Sequence, residues 1–147
     1  VTEAELAGVL RLLGERKAES IVIGSSRDAG ALEEARTVEQ AWLDSDGLVL
    51  TTVDWPERAA SWLRQARRFA APQPDAWVAT GRVPGWVRMG LRLRQSTDWQ
   101  PRRTVATGSL ADDALIAEGG PDTFDGLCGA SADGGTWEIS RTLLIRR

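Results

Sequence analysis

Nine side chains of this 147-residue chain could together hold a small polar molecule: Ser25, Ser26, Thr51, Thr52, Asp54, Thr80, Arg82, Thr107 and Ser109. They fall in four short turns, Gly24-Ser25-Ser26-Arg27, Thr51-Thr52-Val53-Asp54, Thr80-Gly81-Arg82 and Thr107-Gly108-Ser109. Each turn follows a short apolar run and precedes a candidate helix. Hydroxyls and backbone N–H groups can bond such a ligand, Arg82 can pair with a carboxylate, and Asp54 with an amine. In an open α/β sheet, turns of this kind gather outside the carboxyl ends of the strands, where ligands bind. The same Ser, Thr and Asp residues are also good helix caps. For Asp54 and Ser109 capping is the stronger expectation.

Composition removes much other chemistry. Histidine is absent, so there is no Ser-His-Asp or Cys-His machinery, no imidazole metal ligand and no imidazole pH switch. The single cysteine, Cys128, can form neither an internal disulfide nor a multi-cysteine zinc site. Its setting, Gly-Leu-Cys-Gly-Ala, has no basic neighbour in sequence, so it reads as a small buried residue and not as an activated thiolate. The stretch Gly24-Ser25-Ser26-Arg27-Asp28-Ala29-Gly30 lies where a phosphate could rest on helix N–H groups. It matches neither the Walker pattern nor Gly-x-Gly-x-x-Gly. No paired carboxylates for general acid–base work are readable. No cofactor and no metal are expected, and non-catalytic binding is favoured over an enzyme.

Apolar content of 42% and charged content of 27% fit a soluble globular chain with one hydrophobic core. No apolar run approaches the roughly 18 residues that span a bilayer, and no signal-peptide pattern opens the chain. The localisation expected from this is cytoplasmic. No initiator Met is present, so residues 1–147 read as a single α/β domain that is either complete or one lobe or fragment of a larger protein.

Charge is unevenly spread. Residues 1–60 hold 12 acids and 6 bases, residues 64–103 hold 9 arginines against 2 acids, and residues 104–147 hold 7 acids and 3 bases. A basic middle in a chain of net charge −3 is either a solvated face or an interaction surface for nucleic acid or a protein partner. Trp77, Trp86 and Trp99 lie inside it and could stack on bases. Seven tryptophans more often fill a core, and Trp42 and Trp62 fall on helical apolar stripes.

These residues need elements to position them. A helix is expected over 2–14, opened by a Thr2/Glu5 capping box. A buried strand is expected over 20–24, a helix over 31–43 and a strand over 47–53. Asp54-Trp55-Pro56-Glu57 reads as the start of a helix that carries Ala59, Trp62, Leu63, Ala66 and Phe69 inward. A strand over 76–80 follows. Residues 84–94 alternate like a strand, yet Pro84 and the need for a crossover favour a helix. A strand over 103–107 precedes a short helix that Ser109, Asp112 and Asp113 cap and Gly119-Gly120 ends. Segments 124–130 and 136–146 flank Ser131-Ala132-Asp133-Gly134-Gly135, a hairpin turn. The fold class is three-layer α/β, a mostly parallel sheet with a C-terminal antiparallel hairpin.

Several segments resemble one lobe of the type I periplasmic-binding-protein superfamily. Asp75-Ala76-Trp77-Val78-Ala79-Thr80-Gly81 is similar to that lobe's acid-Ala-apolar strand running into a Gly turn. Ser45 to Thr52 repeats the wording one unit earlier. Thr107 to Leu115 resembles the later strand-to-helix turn, and Phe124 to Ala130 the closing strand. The resemblance implies a helix between the strands at 76–80 and 103–107. It also implies a hinged two-lobe receptor that closes on a small polar ligand, with a protein partner supplying the second lobe to this one.

Overall fold

The computed structural model describes all 147 residues. Five helices, α1 Glu3–Glu15, α2 Ala29–Asp44, α3 Leu63–Ala70, α4 Val83–Ser96 and α5 Ala114–Gly119, cover the two faces of one sheet. The strands are β1 Ser20–Ser26, β2 Leu48–Trp55, β3 Ala76–Thr80, β4 Thr104–Ala106, β5 Cys128–Ala130, β6 Thr136–Ser140 and β7 Leu143–Arg146. Their spatial order is β2-β1-β3-β4-β5-β6-β7. The first five run parallel, and β6 and β7 are antiparallel additions. This is the expected three-layer α/β class.

Each central strand divides its side chains between two cores, as period-two alternation requires. Ile21, Ile23, Ala76, Val78 and Val105 meet Val9, Leu13, Val38 and Trp42 of α1 and α2. Val22, Trp77, Ala79 and Ala106 meet the larger, aromatic core under α3, α4 and α5. Trp86 is the hub of that core. Its ring centroid lies 5.5 Å from Trp55, 6.3 Å from Phe69, 5.8 Å from Trp99 and 5.6 Å from Phe124. Gly24 admits the cluster to the sheet, because a Cβ there would stand 2.5 Å from Trp55 Cζ3 and 2.6 Å from Phe69 Cε1.

Four expectations need correction. No helix starts at Asp54: β2 runs on to Trp55, which pairs with Ser26, and α3 begins only at Leu63. An N-cap is worth about 1 kcal/mol, whereas removing a buried Trp costs about 3–5 kcal/mol, so burial of Trp55 wins. Pro56 also biases Trp55 to extended backbone. Secondly, Ser109 and Asp113 make no capping bond to α5, whose Ala114 N–H is taken by Asp112 Oδ1. Ser109 sits instead in a tight turn over Gly108–Leu110. Thirdly, the segment 136–146 is two strands, reversing at Arg141, where φ is 55°. Fourthly, Thr2 does cap α1 through the Glu5 N–H at 3.0 Å, but Glu5 does not close the box. Its carboxylate reaches across to the Gly108 N–H at 2.7 Å. By contrast, residues 84–94 lie within α4, as the crossover argument expected.

Trp77, Trp86 and Trp99 are 3%, 0% and 2% exposed, so none is available to stack on a base. They are core residues. The hub position of Trp86 predicts that Trp86→Ala lowers unfolding free energy by about 3–5 kcal/mol in urea titrations, several times the effect at an exposed site.

Candidate functional site

β1, β3 and β4 end side by side; β1 and β3 finish in Ser26 and Thr80, and Thr107 directly follows β4. Ser26, Thr80 and Thr107 are fully buried there, and Ser25 nearly so. Buried hydroxyls must find partners, and those of Thr80 and Thr107 find each other. Thr80 Oγ1 donates to Glu34 Oε1 of α2 at 2.8 Å and lies 2.6 Å from Thr107 Oγ1, which lies 2.9 Å from Ser109 Oγ. A hydroxyl has one proton to give, so Thr107 must donate to Thr80 and Ser109 to Thr107. The chain of bonds therefore runs from the exposed Ser109 through the two buried threonines to the half-buried Glu34 carboxylate.

A second, shorter chain holds β1 to the turn after β3. Ser26 Oγ donates to Asp28 Oδ1 at 2.6 Å and accepts from the Arg82 N–H at 3.1 Å. Asp28 caps α2 through the Ala31 N–H at 3.1 Å. The Ser26 hydroxyl, with that N–H, holds the Asp28 carboxyl below its ordinary range. Gly81 has a φ of +134°, and a Cβ on it would collide with Ser26 Oγ, so only glycine lets the turn approach.

Above these chains lies an open depression of about 550 Å³, with Asp28, Gly30, Glu34, Gly81, Arg82 and Ser109 on its walls. Arg82 is exposed and forms no ion pair. Glu34 Oε2 stands 3.1 Å from the amino group of Val1. The depression thus offers the Arg82 guanidinium and three carboxylates, of which Glu33 is paired with Arg36 and Glu34 with the Val1 amino group.

The nine side chains singled out in the sequence do not share one place. Ser26, Thr80, Arg82, Thr107 and Ser109 belong to the edge just described. Ser25, Thr52 and Asp54 line a separate groove of about 120 Å³ between α2 and β2. Asp54 is engaged there by Arg27 Nε at 2.7 Å. Thr51 is paired with Val22 in the middle of β2, and Thr52 with Ile23. Both were expected in a turn; the extension of β2 to Trp55 leaves them inside the strand.

Four carboxylates at or near this edge were not legible as site residues. Asp28 carries a local signal, a capping residue at the head of α2. Glu5 and Glu34 carry none, since each acts on an element far away in sequence. The fourth, Glu57, lies in the loop between β2 and α3 and rests against Gly85 in the first turn of α4. Both its oxygens are buried without a hydrogen bond of good geometry. Desolvation raises its pKa, against weaker opposing pulls from the Gly85 N–H and Arg82. Cys128 is buried as expected, but Arg16 Nη2, remote in sequence, lies 2.8 Å from its sulfur. Burial outweighs that cation and pushes the thiol pKa up, so the residue is not an activated thiolate.

No family model and no curated protein matches the chain. Solved structures do. A leucine-binding protein from Thermotoga maritima superposes with a TM-score of 0.72 at 17% identity, over 86% of this chain and 35% of that one. A branched-chain amino acid ABC transporter periplasmic ligand-binding protein from Burkholderia xenovorans gives 0.70 at 9% identity, over 86% and 33%. A solute-binding protein of an ABC transporter from Rhodopseudomonas palustris, solved with 4-hydroxybenzoate, gives 0.66 at 13% identity, over 85% and 34%. The fold resembles one part of these binding proteins, and the chain spans about a third of their length. Their names give the cytoplasmic expectation no support. No helix is long and apolar enough to cross a membrane.

The two perturbed carboxyls at this edge should respond to pH in opposite senses. The lowered pKa of Asp28 makes it stabilising above 3.8, a contribution lost as pH falls through its folded-state value. The raised pKa of Glu57 makes its ionised form the unfavourable one, so folding loses stability as pH rises from 4.5 through its folded-state value. Glu57→Gln is expected to raise Tm at pH 7 and to have no effect well below pH 4.5. Asp28→Asn, which keeps a capping oxygen but removes the charge, should lower Tm at pH 7 and lose that effect well below pH 3.8. Differential scanning calorimetry across that range checks both signs.

Proposed function

We propose that this chain is one lobe of a non-catalytic receptor that binds a small carboxylate-bearing molecule at the carboxyl edge of its sheet. The observation that supports the reading is the unpaired Arg82 guanidinium on the wall of an open depression that Asp28 and Glu34 also line. A guanidinium without a protein carboxylate is suited to take one from a ligand, with two parallel hydrogen bonds. The backbone N–H of Arg82 is held by Ser26, which fixes where the side chain starts and leaves only its own rotamers to be ordered on binding.

The fold neighbours are named for leucine, for branched-chain amino acids and for 4-hydroxybenzoate. A carboxylate is the group those ligands share; an ammonium is not. In this chain an ammonium, where present, would meet Asp28 or Glu34. Ser109 Oγ, at the outer end of the hydroxyl chain, is the remaining polar contact. The depression is open to solvent on the side away from the sheet, and a second lobe is the partner that would close it.

Thermal-shift measurements test the reading directly. Leucine, other amino acids and small aromatic carboxylates are added to the wild-type chain and to Arg82→Ala. A ligand at about a hundred times its Kd stabilises by roughly 2.7 kcal/mol, and the expected result is a response from carboxylates that Arg82→Ala abolishes. Equal responses from the amide analogues of the same molecules would contradict the assignment, as would a response that survives Arg82→Ala.

A further inference from the structure

The two helical layers carry opposite charge. α1 and α2 together hold seven acids and two bases, whereas on the other side α3 and α4 hold six arginines and no acid and the short α5 adds only Glu118. On α3, Arg64, Arg67 and Arg68 fall at i, i+3 and i+4 and are all exposed; on the adjoining α4, Arg88 and Arg92 fall at i and i+4, exposed and half-buried respectively. None of the five forms an ion pair or donates a side-chain hydrogen bond to the protein. Packed helices lie about 8–10 Å apart and i, i+4 side chains about 6 Å apart. Five uncompensated guanidiniums therefore share one helical face of a chain whose net charge is −3.

From this face we infer that the chain docks on an anionic phospholipid surface through the outer side of α3 and α4. Phosphate is the group that guanidinium forks match in geometry as well as charge. A single-stranded nucleic acid would need aromatic platforms, but the tryptophans of this segment are in the core. Duplex DNA is read by an element that enters a groove, whereas α3 and α4 lie side by side in a layer. A protein partner would need an apolar centre to its footprint. The exposed large apolar side chains are Val1, Leu43, Leu48, Leu50 and Leu143, none of them on α3 or α4. Stacking a second copy by its acidic layer would make an open-ended, head-to-tail array between molecules of like net charge. A flat array of phosphates is the complement that remains. Such docking is electrostatic and peripheral, weakened by salt and contributed arginine by arginine, roughly five-fold in partitioning for each. It is independent of the ligand depression and stands if that reading fails.

Vesicle co-sedimentation tests the inference. Vesicles of phosphatidylglycerol with phosphatidylcholine are compared with phosphatidylcholine alone, at low and at high salt. The proteins are the wild-type chain, Arg64→Gln/Arg67→Gln/Arg68→Gln/Arg88→Gln/Arg92→Gln, and the control Arg11→Gln/Arg36→Gln on the opposite layer, each checked for fold by circular dichroism. The expected result is binding to phosphatidylglycerol vesicles only, lost in high salt, lost in the five-arginine variant and kept in the control. Failure to bind at low salt, or binding that the five substitutions leave unchanged, overturns the inference. So does tighter binding of a single-stranded or duplex oligonucleotide through the same arginines, which would assign the face to nucleic acid. Should the five-arginine variant fail to fold, the paired substitutions Arg64→Gln/Arg68→Gln and Arg88→Gln/Arg92→Gln take its place. Each pair is then expected to weaken vesicle binding at least ten-fold, and unchanged binding in both overturns the inference.

Discussion

Burying three parallel strands on both faces leaves no water for the groups where those strands stop. The middles of β1 and β3 are apolar because helices cover each side of the sheet, and every side chain from Ile21 to Ile23 and from Ala76 to Ala79 is fully or almost fully buried. At the carboxyl edge the covering ends, and polar residues must begin within the span of one turn. An unpartnered hydroxyl in that position costs about 1–3 kcal/mol. The chain from Ser109 through Thr107 and Thr80 to Glu34 meets this constraint with side chains alone. Ser26 and Asp28 meet it for β1. The edge is therefore rigid before any ligand arrives, and only Arg82, Ser109 and the carboxylates of α2 face outward.

The same constraint explains why the site is narrower than its polar residues suggested. Hydroxyl-rich turns after strands mark the edge of an α/β sheet, and Thr80, Thr107 and Ser26 stand there. Their hydroxyls, however, are occupied in holding the edge together. Thr51 and Thr52 have the same wording and a different place, because Trp55 belongs to the aromatic core and draws β2 three residues beyond them. Local capping chemistry at Asp54 is weaker than burial of a tryptophan, and only the tertiary packing reveals which of the two decides.

The three-layer class and the parallel sheet were legible from hydrophobic period, and the helix over 84–94 from Pro84 and the crossover rule, against a strand-like alternation. The likeness to one periplasmic-binding-protein lobe was carried by short strand-to-turn phrases, and at 9–17% identity little but such phrases is shared. What could not be read were the long-range polar pairs. Glu5 bonds Gly108 across more than a hundred residues, Glu34 meets Thr80 across forty-six, and Arg16 meets Cys128 across one hundred and twelve. Each is a side chain on one element answering a partner on another, a relation without a sequence period. The segregation of charge was visible as a basic middle segment. Its meaning depended on the fold, which puts the tryptophans inside and the arginines outside.

The claim that the carboxyl edge is the ligand face is tested most directly by amide NMR of the isotopically labelled chain during titration with a carboxylate ligand such as leucine. The account predicts that shifts concentrate at Gly81, Arg82, Gly108, Ser109 and the first turn of α2. Shifts confined to the polar cavity of about 510 Å³ around Arg94, Gln100, Arg102, Asp122 and Asp125, or to the groove beside β2, would contradict it.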